Sequence, residues 1–282
     1  MSREFYTNEA DTRRLYRIIA ILALVLVVLA PATSASAGRL PPIVVPPNTT
    51  PTGSEPATTH RPGLAPPTAI VLPPNTNPYG ATYSEWGARW WQWVLREPED
   101  QNPLTDPTGA SCAIGQTGPV WFLSGGIATR SCTVPEGKAL LFPIATETYV
   151  LFPWDPNDTP QLARDITKGD IDTAFGMSVD VDGTSVPVLE SYRAQSPALG
   201  SLPETFTVDL PFNNLFGIAP GPYQAVADGF YVMLAPLPLG AHAVRIRASF
   251  YVIYPDHRDL AVVDAQYTLT VPSVVYLPML SR

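Results

Sequence analysis

The chain has 282 residues, a formal net charge of -8, 45% apolar residues, two cysteines and three histidines. Nucleic acid and anionic lipid are held by clusters of Lys and Arg that release counterions. With only Lys138, Lys168 and scattered arginines, neither partner is expected. The length and apolar content suffice for one sizeable core.

Residues 1–37 read as a secretory signal peptide: Arg13, Arg14 and Arg17, an apolar run from Ile18 to Ala30, then Ala35-Ser36-Ala37, with cleavage expected before Gly38. The apolar run has 13 residues, short of the roughly 20 that span a bilayer, so no stable membrane insertion is expected after cleavage. Removing 1–37 takes away four Arg against two Glu and one Asp and leaves an acidic mature chain at -9. Residues 38–78 hold 12 prolines among Thr, Asn and Gly and read as an extended linker. Within it Ile43-Val-Val-Pro-Pro-Asn-Thr-Thr-Pro51 recurs as Ile70-Val-Leu-Pro-Pro-Asn-Thr-Asn-Pro78, a duplication whose second copy leads into the domain as an edge strand. A single domain is expected over 79–275, with a short tail at 276–282.

The domain opens on a helix. Thr82 and Glu85 form a capping box, and Pro98 ends the segment after Arg96. At 100° per residue Tyr83, Trp86, Trp90 and Trp93 share one side, with Glu85, Arg89, Gln92 and Arg96 opposite. Strand signals follow at Val120–Leu123 and Ala139–Ile144, and a second short helix is expected within 161–175. Asp182-Gly183 and Asp228-Gly229 each read as a hairpin turn, the second joining Tyr223–Ala227 to Phe230–Leu234. From His242 to Val252 the residues alternate strictly, and Ala265–Val271 supplies a last strand. The fold class is mainly β: an antiparallel β-sandwich or jelly roll with one main amphipathic helix packed on it.

Cys112 and Cys132, an even pair in an exported chain, are expected to form a disulfide. No metal site or cofactor is expected, because no His-Glu-x-x-His pair, glycine-rich phosphate cradle, calcium loop or Gly-x-Ser-x-Gly elbow occurs. His242 shares its strand face with Val244, Ile246 and Phe250, the setting of a hydrogen-bonded core histidine, and His257 reads as a loop tip. The acid and base candidates are therefore carboxylates: Glu147 and Asp155, which flank Tyr149-Val-Leu-Phe-Pro-Trp154, and Glu190. Asp228 is explained by its turn. Among the aromatics, the i, i+4, i+7 spacing of Trp86, Trp90 and Trp93 is that of a core-facing wedge. Trp91, off that face, and Trp154, in a Pro-rich loop, are the candidates for exposed platforms, with Tyr149 beside them.

Several blocks together resemble a family of uncharacterised exported bacterial proteins. They are Asn77-Pro-Tyr-Gly80, Glu85-Trp86 with Trp90-Trp-Gln-Trp93, Gly118-Pro-Val-Trp-Phe-Leu123, Cys132-Thr-Val-Pro-Glu-Gly-Lys138, Phe142-Pro143, Asp228-Gly-Phe-Tyr-Val-Met-Leu234 and Gly240-Ala-His242. The resemblance covers about 76–271 and implies that helix, disulfide loop and hairpins form one domain. It brings no activity. The chain departs from the family pattern in the linker duplication and at Arg245 and Arg247.

The expectation is a secreted, non-catalytic β-sandwich at or outside the cell surface, binding polysaccharide or another cell-surface component. The alternatives are a carboxylate-based extracellular glycan hydrolase and a structural envelope component.

Overall fold

The computed structural model describes residues 71–273. The signal peptide, all but the end of the linker, and the tail lie outside the described residues. Among the described residues ten strands form two five-stranded sheets. In the first, β1 (Val120–Phe122), β3 (Ala139–Val150) and β8 (Gly221–Leu234) are neighbours in that order, and β6 (Arg193–Ser196) and β7 (Phe206–Leu210) both pair with β8. In the second the order is β2 (Ile127–Thr133), β10 (Arg258–Val271), β9 (Gly240–Ile253), β4 (Phe175–Val181) and β5 (Thr184–Ser185). The domain is a β-sandwich with helices. It is mainly antiparallel, with two parallel pairs, β1 with β3 and β2 with β10.

Alternation builds the second sheet. His242, Val244, Ile246, Ala248, Phe250 and Val252 of β9 are buried, as are Ala261, Val263, Ala265, Tyr267, Leu269 and Val271 of β10. In the first sheet β8 is buried continuously from Ala225 to Leu234, so its central part is covered on both faces. The turn at Asp182-Gly183 forms as expected: both residues have positive φ, 51° and 77°, and close β4 onto β5.

The hairpin expected at Asp228-Gly229 does not form. β8 runs straight through both residues, pairing Asp228 with Glu147 and Gly229 with Thr146. Glycine is required there by space: a Cβ on Gly229 would lie 2.6 Å from the Cβ of Thr146. The dipeptide that signals a turn serves instead as a close-packing point in a central strand.

Helix α1 (Tyr83–Arg96) carries the expected capping box, with Thr82 Oγ1 accepting from the Glu85 amide and Glu85 accepting from the Thr82 amide. Its burial exceeds one face: Trp86, Trp90, Trp91, Trp93, Val94 and Leu95 are all buried, while Glu85, Arg89 and Arg96 remain exposed. Each indole N–H donates to a different part of the chain. Trp86 bonds the carbonyl of Pro78 at 2.9 Å, Trp90 that of Leu123 at 2.9 Å, Trp93 that of Ile114 at 2.8 Å, and Trp91 the hydroxyl of Thr146 at 3.1 Å. Trp121, on β1, differs: its buried indole N–H has no partner among the described residues.

Helix α2 (Pro160–Ile171), capped by Thr159, packs on β3, β8 and β9 and realises the expected second helix. Val71 and Leu72, at the start of the second copy of the duplicated phrase, extend the edge of β8: Val71 bridges Leu234, and the Leu72 amide donates to the Met233 carbonyl at 2.8 Å.

Several edge groups are met by side chains and loops. The Gln116 amide group bonds both the N–H and the carbonyl of Phe122 on β1. Ser84 donates to the Gln195 carbonyl on β6, Gln92 to the Thr207 carbonyl on β7, and Ser131 of β2 donates to the carbonyl of Thr108.

Cys112 and Cys132 are bonded, closing a loop of about 20 residues, which stabilises by roughly 3 kcal/mol through the unfolded chain. The loop is pinned twice more. Asp106 accepts from the amides of Thr108, Gly109 and Ser111, and buried Arg130 donates to the carbonyls of Asp106 and Gly125.

Trp90 is 1% exposed, so Trp90→Ala is expected to cost about 3–5 kcal/mol by chemical denaturation. Trp91→Ala is expected to destabilise in the same range, and a Trp91→Ala protein as stable as wild type would show the ring to be dispensable to the core.

Candidate functional site

The structure separates the three aromatic candidates. Trp91 is 8% exposed, with its ring edge-on to Trp90 at 4.9 Å, so the expectation of an exposed platform there is corrected. Helical spacing places Trp91 off the Trp86–Trp90–Trp93 side. Yet α1 is enclosed by β6, β7, β8 and β3 together, and the side occupied by Trp91 is covered by Thr146 and its neighbours. Tyr149, on β3, is half-buried against Leu151, Ala163 of α2 and Val226.

Trp154 is 64% exposed, as expected. It lies in the loop after β3, with its ring 5.1 Å from Phe152 and 6.4 Å from Tyr223. Tyr223 is itself buried and donates to the Ala219 carbonyl at 2.9 Å. Around Trp154 the loop is shaped by carboxylates: Asp155 accepts from the Asn157 amide at 2.9 Å, and Asp158 accepts from the Phe152 amide at 2.6 Å. An aromatic ring backed by two others and open to solvent can stack on a flat apolar surface. Phe212, 90% exposed between β7 and β8, is a second solvent-facing aromatic that sequence periodicity does not mark, because it lies in a loop.

The three candidate carboxylates occupy unrelated positions. Glu147 is mid-strand in β3, Asp155 is in the loop beyond β3, and Glu190 is exposed in the 3-10 turn before β6. Glu147 stands across from Asp228 rather than from either of the other two. Residues directly opposite on antiparallel strands project from the same face with Cβ atoms about 5 Å apart.

Asp228, explained in the sequence by a turn that is absent, is 0% exposed and central to a charged network. Arg193 grips it with two bonds, Nε to Oδ1 at 3.0 Å and Nη2 to Oδ2 at 2.9 Å, and Gln195 adds a third at 3.2 Å. Arg193 also reaches Asp172 at 2.6 Å, and Asp172 in turn accepts from Lys168 at 2.6 Å. The network thus ties the C-terminal end of α2 to β6 and β8. Lys168, and then Arg193, hold the Asp172 carboxyl below its ordinary range.

His242 is buried as expected. One ring nitrogen faces Asp182 at 2.7 Å and the other the Pro238 carbonyl at 2.9 Å, while Asp182 also accepts from the Ala243 amide at 2.8 Å. This arrangement fastens the β4–β5 turn to β9. His257 sits in the exposed β9–β10 connection, stacked on Tyr254 at 4.4 Å. No group of three or more metal-ligating side chains occurs among the described residues.

A cleft of about 310 Å³ opens where the start of α1 meets β6. Its walls include Tyr83, Tyr192, Arg193, Gln195 and Leu199. Tyr83 and Tyr192 meet edge-on at 5.9 Å and are both buried, and the side chains of Arg193 and Gln195 are bonded to Asp228. The cleft is therefore lined largely by groups already committed to the fold. No helix among the described residues is long and apolar enough to cross a membrane.

No protein-family model matches the sequence, and no curated protein matches it. Among solved structures, a chain described as the solution structure of amebosin aligns at 10% identity over 55% of this chain and all of that one, with a TM-score of 0.17. A likeness this slight carries no argument about fold or activity.

Removing one partner of a buried ion pair strands the other, so Asp228→Ala is expected to cost about 3–5 kcal/mol. In a cycle with Arg193→Ala, the double variant should lose less than the sum of the singles, and strict additivity would show the pair to be uncoupled.

The lowered Asp172 carboxyl implies stability that is fully present above the ordinary carboxylate range, about pH 4, and is lost as pH falls through its folded value. The stability difference between wild type and Asp172→Asn should therefore shrink on acidification below about pH 4, as followed by denaturation across pH.

Proposed function

We propose that this domain is an exported, non-catalytic β-sandwich that binds polysaccharide at or outside the cell surface, and that Trp154 is its principal contact. The observation that carries this reading is the 64% exposure of a tryptophan ring backed by Phe152 and Tyr223. Leaving a large indole in water forgoes the burial that the other tryptophans obtain, and an exposed, supported aromatic is suited to the apolar face of a sugar ring. The disulfide fits an oxidising compartment.

The carboxylate-hydrolase reading draws on the placement of Glu147 across from Asp228. Against it, Asp228 is fully buried and both its oxygens accept from Arg193, which leaves it poorly placed to serve a substrate.

Trp154→Ala is expected to leave the melting temperature within about 2 °C of wild type, since the ring is mostly in solvent, while weakening retention on insoluble polysaccharides several-fold. Unchanged retention would remove Trp154 from the site. A wild-type domain held by no member of a broad polysaccharide panel would end the carbohydrate reading.

A further inference from the structure

The two sheets are covered unequally. Helix α1 packs on β3, β6, β7 and β8, all of the first sheet. The end of α2 and the residues after it meet β9 at its edge, where Asp170 accepts from the Ile253 amide and Thr173 from the Tyr251 amide. Alternation sends one set of β9 and β10 side chains into the core, and the other set, facing away from it, contains no buried residue. The same holds for Ile127, Thr129, Ser131 and Thr133 of β2.

This outer face is apolar at one end. Ile127, Phe175, Ile253 and Leu260 are each 41–48% exposed, and register brings three of them onto neighbouring positions around Tyr251 and Ser249. Leu260 stands across from Tyr251, Val262 from Ser249, and Ser249 in turn from Phe175. The Tyr251 ring stacks on Phe175 at 6.1 Å, and Arg258 lies over it at 4.1 Å, so it is not a free platform for a sugar ring.

Beside the apolar end the charges are balanced. Arg245 pairs with Asp264 at 3.0 Å and Arg247 with Asp180 at 3.6 Å. With Arg258 the face carries three arginines against two aspartates, whereas the whole chain stands at -8. Copies of an acidic chain repel one another through most of their surface, and this face is free of that opposition.

The pattern is also self-complementary. A two-fold axis running along the strands between β9 and β10 lays the β9 of each copy on the β10 of the other. Residues that pair across the hairpin within one chain then also face each other between chains. Arg247 meets the other copy's Asp264, and Tyr251 meets its Leu260, each contact occurring twice. Twisted sheets packed face to face cross at about 30°, which displaces such partners least near the centre, at Ser249 and Val262. At about 3.4 Å per residue and 4.8 Å between strands, β2, β10, β9 and β4 present roughly 700 Å² in projection. That is close to the about 800 Å² per partner of a specific interface.

We infer that the outer face of the second sheet is a dimer interface, and that its occupant is the same face of a second copy of this chain.

The test is sedimentation of the mature chain from about 1 to 300 μM, a range that brackets the weaker specific interfaces. Wild type is expected to pass from monomer to dimer. Leu260→Lys, at an exposed position, is expected to weaken the dimer at least about tenfold without lowering the melting temperature. Arg247→Asp places like charges opposite each other twice in its homodimer, and so does Asp264→Arg. Each is expected to weaken self-association at least about tenfold, while an equimolar mixture of the two, which restores both contacts, forms a heterodimer within about threefold of wild type.

A wild type that stays monomeric throughout the range would overturn the inference. So would a dimer that all three substitutions leave unchanged, because it would then lie on another face. A mixture of Arg247→Asp and Asp264→Arg no more associated than either alone would overturn the two-fold arrangement, since loss of fold or of a contact within one chain cannot be repaired by the other.

Discussion

The four indole N–H groups of α1 impose the constraint on which the rest of the domain depends. A buried indole that loses its acceptor costs more than the bond itself contributes, so each ring fixes the strand or loop that supplies its oxygen. Trp86 fixes the entry segment at Pro78, Trp90 the segment after β1 at Leu123, Trp93 the disulfide loop at Ile114, and Trp91 the centre of β3 at Thr146. One helix thereby sets the positions of four stretches of chain far apart in sequence. Gly87 on the same helix lets it approach closely, since a Cβ there would meet Ser196 Oγ at 2.5 Å and the Tyr231 ring at 3.0 Å.

A second tie, through charge, works at the other helix. The Asp228–Arg193–Asp172–Lys168 chain joins a fully buried carboxylate to an exposed lysine, crossing from β8 through β6 to the end of α2. Burying Asp228 is tolerable because Arg193 meets it with paired, parallel bonds and Gln195 supplies another donor. Arg164, buried beneath the 197–204 segment, holds that stretch by two backbone carbonyls. Outside the packing of both helices, Trp154 in the loop after β3 stays in water.

Local chemistry made some of this legible in the sequence. The capping box at Thr82, the Asp182-Gly183 turn, the alternation of β9 and the pairing of the two cysteines each depend on residues close in sequence or on an even cysteine count, and each appears as expected. Where tertiary packing overrides local preference, the sequence misleads. Asp-Gly is a strong turn former, yet between Ala227 and Phe230 it continues a central strand, because Thr146 leaves no room for a side chain at Gly229 and Arg193 supplies a partner for Asp228. Periodicity separates the two sides of an isolated helix but is blind to how many neighbours enclose it, which is why Trp91 reads as exposed and is not. Trp154 was legible because a Pro-rich loop offers little to bury a ring. Its support by Tyr223, some 70 residues onward, was not legible.

The covered strand margins carry a consequence for association between copies of the chain. A β-sandwich with open margins offers rows of unsatisfied amides and carbonyls that recruit another chain and seed fibrous growth. Here Gln116 and Gln92 each spend a side-chain amide, and Ser84 a hydroxyl, on a neighbouring backbone group. The bonds from Gln92 and Ser84 start on α1 itself and last as long as α1 stays docked. Resistance to lateral polymerisation is therefore tied to the same tryptophans that hold the helix. Conditions that loosen α1 would unmask β6 and β7 together, so loss of solubility should accompany helix undocking and precede the melting of the second sheet.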